Sequence, residues 1–598
     1  MKKIFLIYLL LIPILSPAQQ VFQREKRDNI WQFGGKKARL DFSFSPVKVI
    51  EVNRMIPMDI TNASICDTSG NLLLYTNGIA IANATHDTLQ NGGRINYGVY
   101  TDGWVEAGNV IDQGALILPF PEQEDKYFIF YEKRTWAFEF GANATRVYSL
   151  TYAVADMKEN AGLGKITDKE VILIEDTLSL GKITSNRHAN GRDWWIFVHE
   201  FNQDSYYRFL LTPEGVIGKD KIRSGEMIPS GVGQSYFTAN GNKYIHFSYA
   251  RFGESQYISI FDFDRETGEL SNDQLVINQD STAVLAGMAI SENSRFLYIT
   301  SFTHIFQYDL EAEDIEASKV LVAEYDGFYD DMQYGNSWFF LAGLAPDGKI
   351  YISPPAGSKH LHIIHHPNKK GIACEVEQHG IELPSWNIYT MPNYPYYGLG
   401  PLDGSPSDTL GIDNPPPIAD FEYVQDGTED YKVDFYNATR FSPEATMYTV
   451  PDDAYLWRFG DWETSHEKHP VHSYKATGTY RVCLTATNLA GSDTHCDTVV
   501  VTRANTEFQD SPLHNTRLFP NPTDGQFYFH YVLDTGAQTT AYLYNIQGRL
   551  LQKKKMETGV VSQDWDLRDF PGGVYFLVVK SDNQAKGGIL YREKVVVY

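Results

Sequence analysis

The feature that most limits what this chain can fold into is a turn followed by a strand, written six times at near-constant spacing. The copies run Ser69-Gly70-Asn71 into Leu72 to Tyr75, Glu124-Asp125-Lys126 into Tyr127 to Phe130, and Asn190 to Asp193 into Trp194 to Ile196. They continue as Asn240-Gly241-Asn242 into Lys243 to His246, Glu292 to Ser294 into Phe296 to Tyr298, and Pro346-Asp347-Gly348 into Ile350 to Ile352. Gly, Asn and Asp accept the backbone angles of tight turns, while the alternating apolar and aromatic residues that follow suit half-buried strands. A spacing of about fifty residues is the period of four-stranded units that each need a neighbour on both faces.

Closing such units on themselves removes most exposed strand edges. The expected fold is therefore all-β, with a six- or seven-bladed β-propeller over 19–400 ahead of two smaller β domains. Trp31 to Phe42 and Ser385 to Tyr397 lie outside the six copies and are expected to pair as a seventh blade. Two stacked sandwiches are the competing arrangement. Residues 401–418, with Pro415-Pro416-Pro417, and 504–516, polar and without alternation, read as linkers on either side of a segment at 419–503.

Lys2 and Lys3 precede an apolar run from Ile4 to Leu15, and Ser16-Pro17-Ala18 offers small residues for cleavage after Ala18. Residues 1–18 thus read as a secretory signal. No later run reaches the ~18 apolar residues of a membrane helix. At 598 residues the chain exceeds one growing core, and its formal charge of −24 disfavours nucleic acid, whose phosphates need cationic contacts. That acidity is read as a solvated surface; calcium recruitment is the alternative, without a ligand loop behind it, and no cofactor is expected.

Four cysteines allow two bridges in an oxidising compartment. Cys483 and Cys496 flank Asn488 to Ser492 symmetrically, so a hairpin would set them opposite each other, as a disulfide or as a buried thiol pair. Cys66 and Cys374 would be neighbours only if the first and last repeats meet.

From Leu518 to the end, the chain carries Pro520-Asn521-Pro522, alternating Phe527, Phe529 and Tyr531, Asn545 to Gly548, and Pro571-Gly572-Gly573 before an apolar strand. This segment, 517–598, resembles the C-terminal sorting domain of the type IX secretion system. The resemblance implies a small β-sandwich and passage across the outer membrane to the surface or medium, with the type IX machinery as partner. Pro520, Asn521, Pro522, Gly548 and Gly573 are its sorting-motif positions. Trp457-Arg458-Phe459-Gly460-Asp461, His472-Ser473-Tyr474 and Gly478 to Asn488 resemble the PKD domain, which implies an immunoglobulin-like sandwich used as a spacer or adhesion module. Trp462 departs from that pattern, which usually has glycine there. The two resemblances together imply two immunoglobulin-like β-sandwich domains after the propeller. Trp31-x-Phe33-Gly34, Arg187 to Trp195 and Ala345 to Tyr351 look like an N-terminal propeller-like region of type IX cargo proteins, which implies surface exposure without a set activity.

Signatures of nucleophilic, zinc-helix or phosphate-loop chemistry are missing. His360, His362, His365 and His366 are the metal-like cluster, because residues two apart on a strand share a face; an exposed turn is the plainer reading. His188, Asn190, Arg192 and Asp193 could present polar atoms to a ligand, or could simply build a turn. The functional expectation is an exported binding or adhesion protein, more in keeping with a non-enzyme, whose ligand is an extracellular glycan or protein. The alternative is a secreted carbohydrate-active hydrolase or lyase using carboxylates on the blade loops.

Overall fold

The computed structural model describes residues 20–597, apart from 140–141, 250–254, 281–282, 331–334, 356, 426–430, 504–512, 520–522, 524, 534–538, 546–548, 569 and 582–588. The signal segment with Ala18, and the sorting-motif residues Pro520, Asn521, Pro522 and Gly548, lie outside the described residues. The described chain is all-β, with one four-residue α-helix at Pro443–Thr446 and three short 3-10 turns. It divides into two compact units, one reaching to residue 424 and including 434–471 and 480–499, the other comprising 425–433, 472–479 and 500–598.

Seven antiparallel sheets follow one another in the first unit, and in each the strands pair in chain order. The first comprises Ile30–Phe33, Ala38–Asp41 and Lys48–Glu51, and the second Ala63–Cys66, Leu72–Thr76 and Ile81–Asn83. The third is built from Ala115–Phe120, Gln123–Glu139, Ala142–Asp156 and Lys165–Leu178, and the fourth from Thr184–Arg187, Trp194–His199, Ser205–Thr212 and Gly215–Arg223. Four strands each then make the fifth, from Ser235–Phe237 to Leu270–Asn278, the sixth, from Gly287–Ile290 to Val320–Glu324, and the seventh, from Ala342–Leu344 to Val376–Asn387.

Of the six repeated turns, Glu124 to Lys126 instead lie inside the strand Gln123–Glu139, the turn ahead of it being Pro121-Glu122; the other five join the first strand of a sheet to its second. Side-chain oxygens hold them by accepting backbone amides: Asp67 from Ser69 and Asn71 at 2.9 Å, Asn190 from Arg192 and Asp193 at 3.0 Å, and Asn293 from Arg295 at 3.2 Å. The residue after the asparagine is left-handed, at φ +73° for Gly191. Ser294 takes the same conformation at φ +64°, which an L-residue adopts at a cost.

Apolar clusters fill every join between consecutive sheets. Ile30 meets Tyr75, Leu74 meets Ile129, and Leu116 meets Trp194. Phe197 meets Tyr244, Ile258 meets Leu297, and Tyr298 meets Ile350. A seventh cluster, in which Trp31 and Leu40 meet Tyr351 and Leu361, ties the last sheet back to the first. Each large side chain so covered contributes roughly 1.5–3 kcal/mol by leaving water, so both faces of every sheet are stabilised by a neighbour.

One expected pairing differs. Trp31 to Phe42 belongs to a sheet with Lys48–Glu51, whereas Ser385 to Asn387 ends the seventh sheet. Residues 388–402 then leave that sheet. Pro392 and Pro395 lack amide donors and would interrupt a ladder, and the intervening residues bond to inner strands through side chains instead. The stretch expected as a free linker is also packed: Leu402 donates its amide to the Ala189 carbonyl at 2.7 Å, and Gln20–Val21 pairs in parallel with Ile412–Asp413.

The sandwich residues of the first unit bury Trp457 between Phe421 and Phe435, with ring centroids 5.2 and 5.5 Å away. Its indole donates to the Glu467 carbonyl at 2.9 Å. Trp462 lies at φ +77° and is fully exposed, so this departure from glycine falls where glycine is favoured. The sandwich is bonded to the sheets rather than tethered: Lys468 Nζ lies 2.7 Å from Glu311 Oε1, and Arg265 donates to the Ala445 carbonyl at 3.0 Å. Arg295 sits 4.3 Å over the Tyr436 ring.

In the second unit, Leu513–Phe519, Gln526–Leu533 and Gly559–Asp566 form one sheet; Leu550–Lys555, Thr539–Asn545, Gly573–Ser581 and Ile589–Val597 form another. Along Gln526–Leu533 the buried positions are Phe527, Phe529, Tyr531 and Leu533, the two-residue period of a strand with one covered face. They pack with Trp565, Leu577 and Val579.

Candidate functional site

The Asn190 turn is built by its own side chains. His188 Nδ1 accepts the Asn190 amide at 3.1 Å, and its ring lies against Trp195 at 5.4 Å. Burial pushes this imidazole below its ordinary pKa, outweighing the nearby Glu266 and Asp193 carboxylates. Asn190 Nδ2 donates to Asp193 Oδ2 at 2.8 Å, and Arg192 Nε donates to Asp193 Oδ1 at 2.7 Å. Three of the four side chains are therefore consumed in holding the turn. Arg192 differs, since its guanidinium also reaches Glu122 on the third sheet.

Arg192 and Glu122 border a groove of ≈ 1100 Å³ with Arg24, Arg27, Glu25 and Arg187. Arg187 donates to Glu25 at 2.7 Å and to the Gly191 carbonyl at 3.0 Å, and stacks 4.2 Å over the Trp194 ring. Burial works to raise the Glu25 carboxyl, but Arg187 and Arg27 outweigh it and hold it below the usual range. The groove wall thus presents fixed charges of both signs, a surface that can meet hydroxyls and amides with donors and acceptors alike.

The His360 cluster does not share one focus. His360 Nδ1 lies 3.1 Å from Asp330, His365 Nε2 2.7 Å from Glu377, and His366 Nε2 3.4 Å from Glu375. His362 is fully buried, accepts the His379 amide at 3.0 Å, and is pushed down by burial to about 3. Each imidazole is turned to a different partner.

Cys483 and Cys496 are bridged, with Cα atoms 4.1 Å apart across the hairpin. Cys66 and Cys374 are buried free thiols, so the second expected bridge does not form. Cys66 packs where the first sheet meets the second and Cys374 where the sixth meets the seventh, two different joins. Burial pushes the Cys374 thiol up to about 12.

The sequence reading missed what lies at the inner strands. Asn393 Nδ2 donates to the carbonyls of Ala115 and Ile183 at 2.9 Å, and its amide donates to Asn62 at 3.0 Å. Gln234 donates to Ala342 at 2.9 Å and accepts the Met288 and Ala342 amides at 3.0 Å. Tyr394 donates to the Ile30 carbonyl at 2.6 Å, and Thr390 to that of Ile60 at 2.7 Å. Residues 388–402 therefore satisfy carbonyls at or next to the first strands of four sheets. The signal was present as an asparagine between prolines and tyrosines, in Met391-Pro392-Asn393-Tyr394-Pro395.

Two family models match: "PKD domain" over residues 414–503 and "Secretion system C-terminal sorting domain" over 517–591. Among solved structures, the PKD1 domain of the Vibrio cholerae metalloprotease PrtV is 35% identical, covering 14% of this chain and 98% of its own, at TM-score 0.12. The PKD1 domain of Vibrio anguillarum Epp is 30% identical over 15% and 98% of the two chains, at TM-score 0.12. A functionally unknown protein from Desulfotomaculum acetoxidans is 12% identical over 49% and 84%, at TM-score 0.29. Among the described residues no helix is long and apolar enough to cross a membrane. The sorting domain assigns the chain to the type IX secretion machinery and its destination to the cell surface or the extracellular space. The chain is accordingly a type IX secretion cargo protein that carries a PKD domain ahead of its C-terminal sorting domain.

Proposed function

We propose that residues 30–402 form a seven-bladed propeller, and that the exported protein uses it as a binding module for an extracellular glycan or protein. The observation behind the propeller is the set of seven apolar joins, the last of which returns to the first sheet. A ring whose middle is filled by residues 388–402 has little room for a ligand along its axis, so binding falls to the rim. The groove at Arg192 is the favoured rim site: it is ≈ 1100 Å³, polar on much of its wall, and edged by Glu122, whose side chain is 60% exposed. In this reading Arg192 contacts the ligand while His188, Asn190 and Asp193 hold the turn that presents it.

A glycan and surface-protein array probed with the purified chain tests the proposal. Binding that falls about tenfold in Arg192→Gln, the loss of roughly one charged hydrogen bond, supports it. Turnover of any arrayed polymer would replace it with the hydrolase reading, and binding indifferent to Arg192 would remove the groove.

A further inference from the structure

Beside the segment 388–402 lies a second, smaller cavity of ≈ 60 Å³, separate in composition from the groove except for Arg24. It is lined by Asp28, Trp31, Ser185, Tyr236 and Tyr394 among others. Three of these carry polar atoms that have no hydrogen-bond partner among the described residues: Asp28 Oδ1, Trp31 Nε1 and Ser185 Oγ. All three residues are more than nine-tenths buried, at 6%, 1% and 2% exposure. A buried donor or acceptor left unmet costs about 1–3 kcal/mol, so three around one cavity need a reason.

Their chemistry specifies an occupant. Trp31 offers an N–H donor only, Asp28 Oδ1 an acceptor only, and Ser185 a hydroxyl that does either. Asp28 is already paired with Arg24, 2.7 Å away, so its charge has a partner and does not call for an added ion. An apolar guest would leave all three atoms unmet. A hydroxyl-bearing molecule accepts from the indole and donates to the carboxylate with the same kind of group. The cavity is several times larger than the ~10–15 Å³ that admits a single water, so it is large enough for a small hydroxyl-bearing guest.

We propose that this cavity binds a single uncharged, hydroxyl-bearing small molecule, through Trp31 Nε1, Asp28 Oδ1 and Ser185 Oγ. The site is independent of the groove at Arg192, and either can fail without the other.

The test is calorimetric titration of the full chain with glycerol, D-glucose, D-galactose, D-mannose and N-acetyl-D-glucosamine, repeated with Trp31→Phe, Ser185→Ala and Arg192→Gln. Expected are binding of at least one probe, a loss of about tenfold or more in each of the first two variants, and no change in the third. Thermal midpoints are read alongside. Ser185→Ala removes an unmet buried hydroxyl while leaving almost no void, so this unliganded variant should be as stable as wild type or more so. Absence of binding by all five probes, or equal binding by wild type and the two cavity variants, overturns the proposal. So does a fall in the unliganded midpoint of Ser185→Ala without any probe binding, which would mean that solvent alone satisfies these groups.

Discussion

Asn393 donates its side-chain amide to the Ile183 carbonyl at 2.9 Å, although 210 residues separate them. The same nitrogen donates to Ala115, so one side chain joins the first strand of the third sheet to the residue that leads into the fourth. Asn393→Ala strips the donor from both buried carbonyls, and about 3 kcal/mol of stability should be lost. Denaturant unfolding of the variant would read this as a lower midpoint at unchanged slope; an unchanged midpoint would deny the segment its organising role.

Trp462 offers a gain instead of a loss. At φ +77° and fully exposed, its side chain stabilises little by burial while its backbone sits where L-residues are disfavoured. Trp462→Gly should therefore stabilise the sandwich by about 1 kcal/mol, measured as a higher melting midpoint. A lower one would show that the indole makes contacts worth more than the strain.

Acid should loosen the hold of the sandwich on the sheets. Burial acts to raise the Glu311 carboxyl, yet His469 and Lys468 outweigh it and the group is held well below its usual 4.5. His469 is lowered beneath 6.5, chiefly by burial. Both folded values are depressed, so the unfolded chain binds protons first and stability falls with falling pH, from near 6.5 downward. His469→Gln should flatten the slope of thermal midpoint against pH between about 6.5 and 5.

Glu132 predicts the opposite slope. Burial raises its carboxyl from 4.5 to about 8, against the Gly181 amide and the charges of Lys182 and Arg134. The folded state then keeps a proton the unfolded state has released, so this group's contribution is full below 4.5 and lost as pH rises through about 8. Glu132→Gln should match wild type at pH ~5 and melt higher at pH ~9; differential scanning calorimetry at the two values decides it.

The Cys483–Cys496 bridge closes a loop of separation 13, and its loss should cost roughly 3 kcal/mol in the chain-entropy account. Paired Cys→Ser substitution, followed by the tryptophan fluorescence of Trp457 in urea, measures it. Equal midpoints would mean the hairpin is fixed by pairing alone.

Much of the architecture was legible because it is local. Five of the six turns could be read from Asn, Asp and Gly at fixed offsets, since an Asx side chain bonds amides two or three residues away; Glu124 to Lys126 proved to be strand. The two C-terminal domains could be read from motifs in which every residue lies within one small fold. The Cys483 and Cys496 pair followed from symmetry about a hairpin, again a short-range matter. The second pair failed because the assumption that ring ends bring Cys66 and Cys374 together says nothing about which join each side chain enters.

Sequence alone determined the strand content, the repeat, the export signal at the C-terminus and the domain order, because turn chemistry and two-residue alternation act between near neighbours. Tertiary structure alone decided that residues 388–402 bond to carbonyls of several sheets, that the Asn190 turn spends three of its four candidate side chains on itself, and that Asp28, Trp31 and Ser185 meet around one cavity. Those outcomes depend on which backbone carbonyls are left unmatched once all seven sheets are packed, and no local pattern records that balance.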